Sequence, residues 1–220
     1  MPKQDFTHVE TWVFDLDNTL YPASMRLFDQ IEVKMTQWVM RRLNVTRDHA
    51  DHLRQHYWAL YGTTLAGLMH EHGIQPGDYL AEVHDIDFSV LAPDPVLAGR
   101  IKALPGRRIV YTNADAPYAE KVLLARGLSG VFDAVYGVEH AGFRPKPERT
   151  AFETVFTADG LNPARAAMFE DDPRNLAAPH EMGLRTVHIA PTRVEAPHIH
   201  HHATDLSEFL ALIGTPPATG

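Results

Sequence analysis

The pattern of hydrophobic positions divides the chain into two kinds of region. Between residues 23 and 90, apolar residues recur every three or four positions, which is the spacing of a helix with one buried face. Capping and breaking residues predict four helices there, and no strand pattern interrupts them. The predicted caps of the first three helices are Ser24, Thr46, and Thr63 or Thr64. This segment therefore predicts a small all-helical bundle.

In the rest of the chain, short apolar runs alternate with helical patterns. The predicted strands cover residues 11–14, 108–112, 131–138, 166–169 and 185–190. The predicted helices between them cover residues 96–104, 115–127, 147–158 and 173–182. Strands that alternate with helices in this way predict an α/β fold of the Rossmann-like kind, a parallel sheet with helices on both faces.

The helical region lies between the first predicted strand and the second. We therefore expect an α/β core domain of residues 1–21 and 93–220, and a helical domain of residues 22–92 inserted after the first strand. The residues that follow Ile213 are rich in Pro, Thr and Gly, and we expect them to be disordered.

Composition narrows the class of protein. The chain has 220 residues, of which 45% are hydrophobic, so it is long enough to bury a full core. Its net charge of -8 argues against a surface that coats nucleic acid, and the absence of cysteine excludes disulfides and thiolate chemistry. The first residues lack the apolar core of a signal peptide, and 18 apolar residues never run together. We expect a soluble cytoplasmic protein that binds neither membranes nor nucleic acid.

Polar side chains follow the predicted strands at the points where those strands end. Asp15 and Asp17 follow the first strand, Thr112 and Asn113 end the second, and an acidic run follows the strand that ends at residue 169. The carboxyl ends of parallel strands share one edge of a sheet, so these groups should converge there, within reach of Lys146. Hard oxygen ligands suit Mg²⁺, and a hydroxyl, an amide and an ammonium group suit an oxyanion. The combination indicates phosphoryl transfer with a carboxylate nucleophile.

These groups resemble the four motifs of the haloacid dehalogenase (HAD) superfamily in order and spacing. The motifs are the sequence DLDNTL at 15–20, Thr112-Asn113, Lys146, and Glu170-Asp171-Asp172 followed by Asn175, and the resemblance covers about residues 10 to 190. The inserted helices resemble the C1-type cap of that superfamily. The stretches DLDNTLYP, YGTTLAGL, HDIDFS and GFRPKPE resemble its pyrimidine 5'-nucleotidase-like phosphatases.

The resemblance implies roles for the acidic residues. Asp15 would attack phosphorus and become an aspartyl-phosphate, and Asp17 would protonate the leaving alkoxide and then activate the hydrolytic water. The resemblance also implies that Mg²⁺ is held by the Asp15 carboxylate, the Asp17 backbone carbonyl and Asp171. Glu170 would contact the ion through a water molecule, or would contact its ligands without binding the ion itself.

The resemblance implies further roles around the phosphoryl group. Thr112, Asn113 and Lys146 would hold its oxygens, and Lys146 would also neutralise Asp15. Asp172 and Asn175 would support the acidic pair or its waters. The turn that contains Thr63 and Thr64 is the candidate cap loop for substrate contacts, although both threonines also suit plain helix caps.

The implied function is a Mg²⁺-dependent phosphatase for a small phosphomonoester, a nucleoside 5'-monophosphate such as UMP or CMP. A phosphomutase, a 2-haloacid dehalogenase and a non-catalytic binding protein remain alternatives, and Asp17 argues against the dehalogenase because carbon–halogen displacement needs no leaving-group acid. We interpret His84 to Asp87 as a surface turn rather than a metal site, and the histidine-rich run His198 to His202 as an exposed loop without a physiological metal. The leaving group and the oligomeric state cannot be read from the sequence.

Overall fold

The structure, a computed structural model, describes residues 2 to 214. Its centre is a six-stranded sheet in which every pair of neighbouring strands is parallel, in the order β3-β2-β1-β4-β5-β6. The strands are β1 (Thr11–Phe14), β2 (Arg107–Tyr111), β3 (Ala134–Tyr136), β4 (Ala166–Glu170), β5 (Arg185–Ile189) and β6 (His201–Ala203). The predicted parallel α/β sheet is therefore confirmed. The predicted disorder beyond residue 214 falls outside the described residues.

Helices cover both faces of the sheet. The α-helices are α1 (Leu27–Leu43), α2 (Arg47–Tyr61), α3 (Thr64–His72), α4 (Pro76–Val83), α5 (Pro95–Lys102), α6 (Ala116–Ala125), α7 (Arg149–Asp159), α8 (Ala177–Met182) and α9 (Leu206–Ile213). Side chains alternate along a strand, so Trp12 and Phe14 pack in one hydrophobic core with residues of α5, α6 and α9. Val13 points the other way, into a core formed with α7 and α8.

The helical segment, residues 23–90, contains α1 to α4 and short 3₁₀ turns, and within it the structure contains no strand. It has its own hydrophobic core, in which Trp38 and Tyr79 meet edge to face with ring centres 5.1 Å apart. Thr46 caps α2 as predicted, accepting a hydrogen bond from the His49 backbone N–H. The prediction for Ser24 is wrong. That residue lies in a 3₁₀ turn, and α1 begins only after Arg26, which adopts a left-handed conformation.

Two further predictions need correction. The run 131–138 forms a strand only at residues 134–136, and the predicted helix 173–182 divides into a 3₁₀ turn at residues 173–176 followed by α8. No helix among the described residues combines the length and hydrophobicity needed to cross a membrane. The cytoplasmic location and the two-domain division stay predictions.

The histidine-rich run is an exposed loop only in part. Residues 198–200 form no strand and His200 is exposed, as predicted. Residues 201–203 instead form the edge strand β6 beside β5, and His201 packs against Phe6 and Phe209 with ring centres 5.2 and 5.8 Å apart. Partial desolvation lowers the pKa of His200 to about 4, so this side chain is neutral at physiological pH. Sequence pattern could not identify the strand, because its two histidines are polar and half-buried.

Candidate active site

The ends of three neighbouring strands bring the predicted site residues together. Phe14 of β1 lies opposite Val110 of β2 and Phe169 of β4 in the sheet register. Asp15 continues the ladder for one more residue, because its backbone N–H donates to the Phe169 carbonyl over 2.9 Å. The polar residues that follow β1, β2 and β4 therefore emerge side by side, as the sequence predicts.

Lys146 lies between two of the acids. Its ammonium nitrogen is 2.7 Å from Asp15 Oδ1 and 2.7 Å from Glu170 Oε2, and it also donates to the Tyr111 carbonyl over 3.1 Å. The side chain is only 1% exposed. Although burial alone would lower it, the two carboxylates raise the pKa of Lys146, which therefore stays an ammonium ion.

Asn113 holds the backbone of this lysine. Its side-chain NH₂ donates to the Lys146 carbonyl over 3.0 Å, and its Oδ1 accepts from the Lys146 N–H over 2.7 Å. The amide of Asn113, which the sequence predicts to bind a phosphoryl oxygen, thus both donates to and accepts from the backbone of the loop before α7. Thr112 is buried beside it, and its hydroxyl oxygen accepts from the Ala114 N–H over 3.0 Å.

Asp15, Glu170 and Asp171 form a compact acidic group, with one carboxylate oxygen of each within 4.8 Å of the others. Burial and then the neighbouring Glu170 raise the pKa of Asp15 to about 7 and that of Asp171 to about 10. One lysine faces three acids, of which two are buried and Asp171 is half-buried, so a further cation would favour their ionised forms. Their hard oxygen donors fit Mg²⁺. The resemblance places Glu170 outside the set of metal ligands, and in the structure its carboxylate lies within the same 4.8 Å group as Asp15 and Asp171.

Asp17 stands apart from this acidic group. Its Oδ1 accepts one hydrogen bond from the Tyr21 hydroxyl over 2.5 Å and another from the Tyr118 hydroxyl over 2.6 Å. Burial raises the pKa of Asp17, although both phenols act in the opposite direction. Burial and then the Asp17 charge also raise the pKa of Tyr21 and Tyr118, so both remain protonated donors.

The remaining predicted residues of the β4 end differ in their surroundings. Asp172 caps the following 3₁₀ turn and forms an ion pair with Arg174 at 2.6 Å. Asn175 is buried, and its Oδ1 has no hydrogen-bond partner among the described residues. An unpartnered buried acceptor beside an acidic group suits a bound water, which is the kind of role the sequence predicts.

The helical segment faces this edge across a cavity of about 840 Å³. Thr63 and Thr64 line the cavity together with Asp17 and Asn113. Thr63 is also the cap of α3, accepting from the Ala66 N–H over 3.1 Å. The preceding Gly62 adopts a φ of +85°, and a Cβ atom there would lie 2.9 Å from the Lys146 carbonyl oxygen. The turn can approach the lysine loop this closely only because it carries glycine.

Sequence reasoning missed three residues of the site: Tyr21, Tyr118 and His84. His84 is not on the surface as predicted, because it is buried, with its Nδ1 2.8 Å from Asp115 Oδ1 and its ring stacked on Tyr118. Asp85 and Asp87 are exposed, as predicted for the turn. A weak signal existed for Tyr21, which lies one helical turn after Asp17, but nothing in the sequence pairs Tyr118 with Asp17.

Comparisons with known proteins agree with this fold. The chain is 25% identical over 193 residues to phosphate metabolism protein 8 of Saccharomyces cerevisiae, an alignment that includes 80% of this chain. The chain spans 60% of the length of that yeast protein.

Solved structures of a HAD dehalogenase and of a HAD phosphatase have folds similar to that of this chain. YfnB of Bacillus subtilis, a HAD-hydrolase solved with bound magnesium, has a TM-score of 0.61 at 16% identity, covering 94% of this chain and 99% of its own. L-2-haloacid dehalogenase of Xanthobacter autotrophicus has a TM-score of 0.58 at 17% identity, covering 93% and 98%. A HAD phosphatase of Thermococcus onnurineus has a TM-score of 0.60 at 15% identity, covering 94% and 98%. At these identities the likeness establishes the fold alone.

The family is established by the sequence itself. Residues 9–183, from two residues before β1 to one residue after α8, match the family description of the haloacid dehalogenase-like hydrolases. This range contains all four groups of residues that meet at the sheet edge. The chain therefore belongs to the haloacid dehalogenase-like hydrolase family.

Proposed function

We propose that the protein is a Mg²⁺-dependent phosphatase that hydrolyses small phosphomonoesters through an aspartyl-phosphate intermediate. The observation that carries the proposal is the environment of Asp17. This carboxyl group lies two residues after the nucleophile candidate Asp15, two phenols fix one of its oxygens, and burial raises its pKa, which favours the protonated form. A leaving alkoxide requires such an acid, whereas a departing halide does not.

In this proposal Asp15 attacks the phosphorus atom and the bond from phosphorus to the leaving oxygen breaks. Asp17 donates its proton to that oxygen, which departs as an alcohol. Asp17 then accepts a proton from a water molecule as the water attacks the aspartyl-phosphate, and the bond from phosphorus to Asp15 breaks. Inorganic phosphate leaves, and both aspartates return to their starting states.

The remaining residues bind and orient. Lys146 fixes the Asp15 carboxylate from one side and favours its ionised form against the effect of burial. Thr112 carries a hydroxyl suited to a phosphoryl oxygen, and Asn113 acts by holding the Lys146 backbone.

Mg²⁺ would be held by the carboxylates of Asp15 and Asp171 and by the backbone carbonyl of Asp17. These ligands would be supported by Glu170, Asp172 and Asn175. When bound, the ion would offset the charge of the acids and of the phosphoryl oxygens.

The helical segment would act as the cap that selects the leaving group. Its cavity falls within the range of about 300–1,000 Å³ typical of small-molecule sites. The cavity wall includes Thr63, Thr64 and Arg54 on the polar side and residues of α1 and α4 on the apolar side. This mixture suits a nucleoside, and we propose nucleoside 5'-monophosphates such as UMP and CMP as substrates.

The test is phosphate release from a panel of esters, with Mg²⁺ or with EDTA. The panel contains UMP, CMP, dTMP, AMP, GMP, ribose 5-phosphate, glucose 6-phosphate and 4-nitrophenyl phosphate. We expect Mg²⁺-dependent release with UMP and CMP preferred, and a loss of roughly 10⁴-fold or more in Asp15→Asn. Asp85→Asn, which alters an exposed acid of the helical segment, is the matched control.

Three results would overturn parts of the proposal. Release from other esters alone would keep the chemistry and remove the nucleotide assignment. Chloride release from 2-chloropropionate without phosphate release would make the protein a dehalogenase. Substantial phosphatase activity in Asp15→Asn would contradict the assigned nucleophile.

A further inference from the structure

Asp17 accepts hydrogen bonds from two tyrosines that have no role in the proposed reaction steps. Both hydrogen bonds from the phenols end on the same oxygen, Oδ1, at 2.5 Å from Tyr21 and 2.6 Å from Tyr118. A protonated carboxyl group carries its hydrogen on one oxygen, and an oxygen that already accepts two short hydrogen bonds is the less favourable place for it. The two phenols therefore occupy Oδ1, and Oδ2 is the oxygen left to exchange a proton with the leaving group.

Tyr118 is held in turn through its backbone and its ring. Its backbone N–H donates to Asp115 Oδ1 over 3.2 Å at the start of α6. Its ring stacks on His84 with centres 4.3 Å apart and an angle of 25° between the planes, and the Phe88 ring packs against it with centres 5.9 Å apart. The same Asp115 oxygen lies 2.8 Å from His84 Nδ1. One carboxylate thus fixes both the tyrosine backbone and the imidazole that covers the tyrosine ring.

His84 belongs to the helical segment, where it ends α4, whereas Asp17, Asp115 and Tyr118 belong to the sheet-bearing part of the chain. It also lines the cavity together with Asp17. Tyr118, which donates to Asp17, therefore packs against the end of α4.

We propose that Tyr21 and Tyr118 are positioning residues that direct the Asp17 proton from Oδ2 toward the leaving oxygen, and that His84 makes this arrangement depend on the helical segment. The inference rests on the proposed phosphatase function, which supplies the leaving oxygen. It adds that the helical segment contributes to the protonation step as well as to the choice of substrate.

Esters with different leaving groups separate this role from general support of the fold. An alkoxide such as the ribose 5'-oxygen of UMP needs a proton to depart, whereas 4-nitrophenolate departs without one. The ratio kcat/KM reports the steps up to departure of the leaving group, so loss of acid positioning lowers it for UMP and spares it for 4-nitrophenyl phosphate. A structural defect lowers both.

The variants are Tyr21→Phe, Tyr118→Phe, His84→Ala and His84→Phe, with Tyr57→Phe of the helical segment as the matched control. We expect Tyr118→Phe to lower kcat/KM for UMP, or for the alkyl ester the wild-type enzyme turns over fastest, by roughly 10- to 100-fold, and for the aryl ester by less than about threefold. His84→Ala should also lower kcat/KM for the alkyl ester more than for the aryl ester, but by a smaller factor than Tyr118→Phe. His84→Phe keeps a flat ring against Tyr118 and should recover much of the loss.

A second measurement does not depend on turnover. The unfolding free energies of Asp17→Ala, Tyr118→Phe and the double variant should be non-additive, because each single change removes the hydrogen bond from the Tyr118 hydroxyl to Asp17 Oδ1. Additive effects, equal losses on both esters, or unchanged activity in Tyr118→Phe would each overturn the inference while leaving the phosphatase assignment intact. A wild-type protein that hydrolyses no ester at all would instead refute the proposed function and the catalytic role of the tyrosines with it.

Discussion

Lys146 at the sheet edge and Arg54 in the helical segment each lie among acids, and the two clusters differ in how they are built. At the sheet edge, Lys146, Asp15 and Glu170 have side chains that are at most 7% exposed. In the helical segment, Arg54 contacts Asp51 and Glu32 at 3.3 and 3.2 Å, but those two acids are 41% and 53% exposed.

The difference lies in what fixes each cluster. At the sheet edge, neighbouring strand ends position the acids, and the two hydrogen bonds between Asn113 and the Lys146 backbone position the lysine. The Arg54 cluster depends on how α1 and α2 pack, and water reaches it. A buried cluster on a rigid frame suits reaction chemistry, whereas a hydrated cluster on packed helices can adapt to different leaving groups.

The comparison predicts unequal effects when each cation is replaced by methionine. Lys146→Met leaves Asp15 and Glu170 buried without a counter-charge, which should cost about 3–5 kcal/mol of unfolding free energy and abolish phosphate release. Arg54→Met breaks partly hydrated ion pairs and should cost about 1 kcal/mol. Urea unfolding of both variants measures the difference, with the exposed Lys102→Met as control. Equal losses would show that the two clusters are energetically alike.

The acidic group also predicts a dependence of stability on pH. Burial and Glu170 raise the pKa of Asp171 to about 10, so between pH 7 and 9 the folded chain retains a proton that the unfolded chain, with an aspartate pKa of about 3.9, has already lost. Because the folded state then binds more protons, metal-free stability should fall as pH rises, by at most about 1.4 kcal/mol per pH unit for each proton. This window lies above the titration of His200.

Thermal unfolding in EDTA at pH 7, 8 and 9 checks the sign. Mg²⁺ favours the ionised acids, so it should raise the melting temperature more at pH 9 than at pH 7. Asp171→Asn should flatten the pH dependence in EDTA. A metal-free protein that gains stability from pH 7 to 9 would contradict the assigned direction.

The contrast between groups fixed by strand ends and groups fixed by helix packing explains which site residues could be predicted from the sequence. Asp15, Thr112, Lys146 and Glu170 could be assigned to one site because strand ends in a parallel sheet meet by topology, whatever the detailed packing. Asn113 was assigned to the same place with a direct role in phosphate binding, whereas its amide is engaged with the Lys146 backbone. Residue type and spacing do not determine which way a side chain turns.

Contacts made through packing were beyond sequence reasoning. Tyr118 and Asp17 are 101 positions apart, and their hydrogen bond depends on where α6 lies relative to β1. His84 looked like a polar residue of a surface turn because its burial depends on the fit between the end of α4 and the start of α6. The strand at His201 shows the same limit, since an edge strand of half-buried histidines has no apolar alternation to reveal it.

The smallest predicted effect concerns a contact between Arg174 of the sheet-bearing part and Trp58 of the helical segment. The Arg174 guanidinium lies 3.5 Å from the centre of the Trp58 ring in α2 and pairs with Asp172, which follows the acidic group. Trp58 is 50% exposed, so the stacking is worth about 0.5–1 kcal/mol. Arg174→Ala should therefore raise KM by about threefold with kcat nearly unchanged, and should alter tryptophan emission.

Arg193→Ala, which removes an exposed arginine that pairs with Glu195, is the control and should change neither quantity. The stacking of Arg174 on Trp58 joins the helical segment to the β4 end without involving Asp15, Asp17 or Lys146. A loss confined to KM would indicate that this contact holds the helical segment against the sheet edge for binding. A loss of kcat approaching that of Lys146→Met would mean that Arg174 supports the acidic group itself, and the division between a rigid edge that reacts and a helical wall that selects would fail at this residue.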